Sequence, residues 1–189
     1  MRIIDRIKHS IRVYYILYAD SSELLDKAQK LLRPLPQGCK LVKLTYENMN
    51  LFKTKNLVDK MLQLGDGGVW AIVNNNDEII AWQYGTCRGK NSMFFKVKNC
   101  DYEHVEILVD EKYRRNGLAI YLLYCAVKNL NFADKNNKKI GTCIRPYNTP
   151  SLMLHELIGF KKSHKVVFIH KTCNKNGRYS FINIPHHSI

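Results

Sequence analysis

The stretch YEHVEILVDEKYRRNGLAIYLLYCAVKNL, residues 102–130, constrains the fold more than any other part of the chain. Its first third, 102–110, is rich in β-branched residues and reads as a strand. From Gly117 to 133 the sequence is almost continuously apolar and of helical length. Between them stand Arg114, Arg115, Asn116 and Gly117. A strand passing through so short a turn into a buried helix is a unit of α/β architecture. By period-two alternation Val105, Ile107 and Val109 share one face of the strand with Glu103, and Glu106 falls on the other.

The rest of the chain supplies partners for that unit. Residues 39–46 and the segments 68–73 and 78–85, joined by an Asn-rich turn, read as a strand and a hairpin. A helix over 48–65 separates them, stopping at Gly65. Downstream come a strand at 138–148, a short helix at 149–159 and two closing strands, 165–173 and 179–185. The expected fold is a mixed α/β domain over 39–189. At the other end, Ile3, Ile4, Ile7, Ile11, Tyr14, Tyr15 and Tyr18 recur at steps of three and four, which predicts an amphipathic helix over 2–18. A second helix follows, opened by Asp20 and Glu23 in a capping-box arrangement and closed before Pro34. Residues 1–38 therefore read as a helical extension packed on the main domain.

No apolar run approaches the roughly 20 residues that span a bilayer, and the charged N-terminus lacks the form of a secretory signal. A cytoplasmic protein is expected. The six cysteines, Cys39, Cys87, Cys100, Cys125, Cys143 and Cys173, form no C-x-x-C pair, so they read as reduced thiols rather than metal ligands. The net charge of +14 favours anionic partners such as nucleotide phosphates or acidic substrates.

At the junction, a helix N-terminus with free backbone N–H groups and a partial positive charge suits phosphate. Gly117 allows close backbone approach, and Arg114 and Arg115 add charge-assisted hydrogen bonds. A solvated turn would use the same residues. Context separates the two. The run Arg114-Arg115-Asn116-Gly117-Leu118-Ala119 between strand and helix resembles the acetyl-CoA-binding motif, R/Q-x-x-G-x-G/A, of the GNAT superfamily of N-acetyltransferases. NTPSLMLHELIGF, with Asn148, Ser151, Gly159 and Phe160 in register, resembles the family's second motif. The resemblance spans about Lys40 to Phe181.

It implies a GNAT-like, mostly antiparallel mixed sheet flanked by helices, with acetyl-CoA as acyl donor. Its diphosphate would lie on the amides of 114–119 and its pantetheine arm along Leu108 and Val109. An amide near Val109 would polarise the thioester, and Asn148 would contact the donor from the other side. Direct transfer to an amine needs a proton acceptor and a donor for the leaving thiolate. Glu103 is the first candidate base and Glu106 the weaker one. The family's acid is a tyrosine; His155 stands in that place, with Tyr147 as a nearby alternative.

The leading acceptor class is a small-molecule amine, an amino sugar or nucleotide-linked sugar. A protein amine, or a CoA-binding or basic interaction module without turnover, are the other readings. Nucleic acid is disfavoured as a partner. Peripheral membrane contact through residues 2–18 competes with their burial as a core-facing helix, and burial is favoured.

Overall fold

In a computed structural model the structure describes residues 11–52, 68–87, 100–130, 138–171 and 178–185, with backbone only at 11–12, 168–171 and 178–185. The strands are β1 (Ile11–Asp20), β2 (Lys40–Leu44), β3 (Val69–Val73), β4 (Ile79–Cys87), β5 (Tyr102–Val109), β6 (Lys139–Ile144), β7 (Lys161–Lys171) and β8 (Arg178–Pro185). The helices are α1 (Ser21–Leu31), α2 (Leu118–Lys128) and α3 (Thr149–Leu157), with single 3-10 turns at Met49–Leu51 and Glu111–Tyr113. All eight strands join one sheet, in the order β2-β3-β4-β5-β6-β1-β7-β8. Every pairing is antiparallel except β5 with β6. A mixed, mostly antiparallel sheet is what the family resemblance implies.

The expected helix over 2–18 is not there in its described part. Residues 11–20 form β1, paired on both sides between β6 and β7; residues 2–10 lie outside the described residues. Tyr15, Leu17 and Ala19 enter the core beneath the helices, whereas Tyr14, Ile16 and Tyr18 pack on the other face. A strand buried on both sides is apolar at nearly every position. Such a run contains steps of three and four by default, so the helical spacing carried no information. The β-branched and aromatic composition was the better arbiter.

Other differences are local. Asp20 precedes α1 but its side chain makes no capping bond; Glu23 pairs instead with Lys27 at 2.9 Å and Lys161 at 3.6 Å. Of the helix expected over 48–65, the Met49–Leu51 turn is described and residues 53–65 lie outside the described residues. Helix α2 ends at Lys128 rather than 133. No helix among the described residues is long and apolar enough to cross a membrane.

The core under the helices joins Leu24 and Ala28 of α1, Ile120, Leu123 and Val127 of α2, and Leu152 of α3 to Leu17, Tyr102 and Ile140 of the sheet. The inner side of α2, through Leu118 and Leu122, continues onto Ile72, Ile80 and Ala81. Leu17, Leu24, Leu122, Leu123 and Ile140 are fully buried, each worth about 1.5–3 kcal/mol in transfer from water. Helices α1, α2 and α3 thus cover one face of the sheet around β5 and β6.

Candidate active site

The site begins where β5 and β6 part. Their parallel pairing is confined to Tyr102 with Ile140, Glu103 with Gly141 and His104 with Thr142. Beyond His104, β5 continues to Val109 beside β4 alone. The gap is a cleft of about 570 Å³, lined among others by Glu106, Ile107 and Leu108 of β5, Arg145 and Asn148 after β6, and His155 of α3.

Backbone direction decides what β5 offers this cleft. The Asp110 N–H donates to the Ile80 carbonyl at 2.8 Å, toward β4. Successive residues of an antiparallel ladder turn their N–H and C=O groups to opposite edges. Val109 and Ile107 therefore point theirs toward the edge that β6 has left. Leu108, expected with Val109 to offer backbone to a ligand, spends its own on β4; its half-exposed side chain lines the cleft instead. Ile107 was missed, because pairing parity is not written in the sequence.

A bulge redistributes the acids. Glu106 pairs with Tyr84 and His104 with Gly85, so Val105 is the extra residue. One inserted residue reverses the alternation. Glu103 consequently lies on the face opposite Ile107 and Val109, and shares it with Glu106. This corrects the period-two assignment. Glu103 is 6% exposed beside Tyr18, Tyr84, Cys100 and Cys143, whose pKa values are raised first by burial and further by the Glu103 charge. It is not among the residues that line the cleft; Glu106 is. Glu106 is exposed as a residue, yet partial desolvation of its carboxyl in the cleft raises it above its ordinary value, which strengthens it as a proton acceptor.

His155 and Tyr147 divide differently from expectation. His155 is 1% exposed, and burial lowers its pKa to about 4. Its Nδ1 lies 2.7 Å from the Ser151 carbonyl, and a carbonyl only accepts, so Nδ1 carries the hydrogen. Nε2 then holds a lone pair, and it has no partner among the described residues. A neutral ring in that tautomer is a poor general acid near pH 7. His104, which sequence spacing passed over, packs against it with ring centroids 5.4 Å apart and is likewise held neutral by burial. Phe160 meets the His155 ring edge-on at 5.0 Å, which places the terminal Gly-Phe of the second motif: the chain leaves α3 at Gly159 and sets Phe160 beneath the site. Tyr147 is exposed, and its hydroxyl accepts from Arg145 Nη1. Asn148 caps α3, its side-chain oxygen accepting from the Ser151 N–H at 3.3 Å.

The turn follows directly from the C-terminal end of β5. Asp110 accepts from the Lys112 N–H at 3.1 Å and sets the 3-10 turn. Arg114 Nε donates to the Val109 carbonyl at 3.3 Å. Arg115 and Gly117 both have left-handed backbones, φ 67° and 78°, the latter natural to glycine. A Cβ on Gly117 would meet the Arg33 side chain first, no nearer than 3.5 Å. Within the protein, the glycine is thus required by its φ rather than by space. The Gly117 carbonyl is the first helical acceptor, taken by Tyr121 at 3.0 Å. The amides of Leu118, Ala119 and Ile120 consequently have no acceptor within α2. Asn116 and both arginines of the turn are exposed. A third guanidinium arrives from the end of α1, where Arg33 Nη1 donates to the Arg115 carbonyl at 3.4 Å. No sequence signal marks Arg33, which is 82 residues away.

At the level of sequence, no family model and no curated protein matches the chain. Solved structures do. The chain is similar to a tandem GNAT protein from the clavulanic acid biosynthesis pathway, at 12% identity and a TM-score of 0.57 over 95% of this chain. It spans 55% of that protein's length, little more than half. It is also similar to the aminoglycoside N-acetyltransferase AAC(6')-Iy solved in complex with CoA, with 20% identity and a TM-score of 0.52 over 71% of this chain and all of that one. The aminoglycoside 6'-N-acetyltransferase AAC(6')-Ih from Acinetobacter baumannii matches at 17% identity and 0.52 over 72% and 100%.

Proposed function

The chain has the GNAT fold, and from that premise we propose that it is an acyltransferase moving the acetyl group of acetyl-CoA to the primary amine of a small molecule by direct attack. The observation that carries this reading is the parting of β5 from β6 immediately upstream of the basic turn. Unused edge amides at Ile107 and Val109 suit the amide groups of a pantetheine arm. The amides opening α2, with Arg114, Arg115 and Arg33 around them, suit its diphosphate. An amino-sugar acceptor is supported by the aminoglycoside acetyltransferases among the similar structures.

The cleft's own groups divide the chemistry. Glu106 takes the proton from the acceptor ammonium, leaving a neutral nitrogen. As the new N–C bond forms and the C–S bond breaks, the Val109 N–H donates to the thioester oxygen. Tyr147 gives its proton to the departing sulfur and recovers the second proton that the nitrogen sheds as the amide forms, a task for which a neutral His155 is unsuited. His155 instead fixes the wall of the cleft through Ser151.

Calorimetric titration with acetyl-CoA tests the assignment. Arg115→Glu and Arg114→Glu each place a negative charge at the turn and are expected to weaken binding by about tenfold or more. Binding that survives both unchanged removes the diphosphate from this turn and the reading with it.

A further inference from the structure

The cleft passes through the sheet. On its helix side are Ile107, His104 and His155. On the other side are Glu106 and, beyond β6, Arg145: Ile144 pairs with Tyr15, so the next residue falls on the Tyr14 face, and Arg145 does contact Tyr14. The turn at 114–119 leads into α2, on the helix side. A donor held by that turn leaves the Glu106 and Arg145 side for the acceptor.

Arg145 is unusual for a half-buried cation. Its Nε donates to the Tyr14 hydroxyl at 3.3 Å and its Nη1 to the Tyr147 hydroxyl. The guanidinium carbon lies 5.6 Å from one phenol ring centre and 5.7 Å from the other. Those hydrogen bonds raise its pKa further, so it is always charged. No carboxylate among the described residues pairs with it. Two phenols fix its plane and satisfy part of its donor set, while Nη2 keeps its hydrogens for a guest. A fixed, uncompensated guanidinium at the wall of a cleft is built to accept an oxyanion.

Resting on the acetyltransferase reading, we propose that the acceptor is an amine that also bears an oxyanion, carboxylate or phosphate, which Arg145 binds between Tyr14 and Tyr147 while Glu106 receives the ammonium. Acceptor choice then depends on charge as well as on the amine. The remaining ionisable groups of the cleft do not oppose this, because His104 and His155 are neutral and the Glu106 carboxylate is matched to the ammonium.

The test compares glucosamine with glucosamine 6-phosphate, and propylamine with β-alanine, as acceptors for the full chain. The wild type is expected to favour at least one oxyanion-bearing member over its neutral counterpart by about tenfold or more in kcat/KM, mostly through KM. Whether phosphate or carboxylate shows the larger ratio identifies the group. Arg145→Gln should collapse the ratio, and Arg145→Lys should restore part of it, which a folding defect would not do. Titration of the same four compounds without acetyl-CoA keeps the two ideas apart. If the wild type fails to bind acetyl-CoA in the separate calorimetric titration, the acetyltransferase reading falls, whereas weaker oxyanion binding by Arg145→Gln in this one still supports the anion site. Equal ratios in wild type and Arg145→Gln, or no binding of either oxyanion compound, overturn the proposal.

Discussion

The two halves of β5 are one strand with two fates. Residues 102–104 are flanked by β4 on one side and β6 on the other and are buried. Residues 105–109 keep β4 but lose β6, alternate between half-buried and exposed, and line a cleft. Each half carries a glutamate, so the presence of an acid does not tell them apart. The difference comes from one absent neighbour and one extra residue at Val105. A sealed ladder buries Glu103 among phenols and thiols; an open edge presents Glu106, two amides and a gap.

The contrast can be broken most sharply by exchanging its acids. Glu106→Gln should lower kcat by about 10²- to 10⁴-fold, with acetyl-CoA affinity nearly intact, whereas Glu103→Gln should act through stability. A larger kcat loss from Glu103→Gln would return the base to the sealed half.

The sealed half has its own probe in Gly85, opposite His104. A Cβ there would press on the Tyr102 ring and come within 2.5 Å of the Glu103 carbonyl oxygen. Gly85→Ala is expected to destabilise by about 3 kcal/mol, a fall in Tm of roughly 6–12 °C. A Tm change under 2 °C would show that the ladder is looser than its geometry implies.

Acid should open the sealed end next. Burial holds His104 and His155 below the ordinary value of 6.5, His155 at about 4. From pH 6.5 down to 4 the unfolded chain binds protons that the folded chain refuses. Stability is thus complete above about pH 6.5 and lost as pH falls, by about 3 kcal/mol for His155 alone. Urea midpoints at pH 7.5 and 4.5 measure this, and His155→Gln should shrink the difference between them.

The smallest effect belongs to the turn past the open half. Gly117→Ala must hold a left-handed backbone and is expected to cost about 1 kcal/mol. A change that small would leave the fold intact while acetyl-CoA titration reports on the amides.

Much of the molecule was legible because it is local. The hairpin of β3 and β4, helix α1, the run from β5 through the turn into α2, and the step from β6 into α3 follow from period, turn residues and caps within a few positions. Misreadings fell where the deciding fact lay elsewhere in the chain. Residues 11–18 looked helical because a strand sandwiched on both faces has no polar side to reveal its period. Glu103 and Glu106 share a face that period-two alternation denies them, because the bulge is visible only in the pairing with Tyr84 and Gly85. Arg33 and Arg145 attracted no notice, since an arginine's worth depends on what surrounds it.

By itself the sequence determined most of the elements, β1 excepted, and the basic turn, since backbone preference and a left-handed glycine act over a few residues. Only the tertiary structure decided that β1 enters the sheet, that β6 leaves β5 after His104, and that Arg145 stands between two phenols. Strand pairing and burial join residues more than a hundred positions apart, and no local propensity encodes which of them meet.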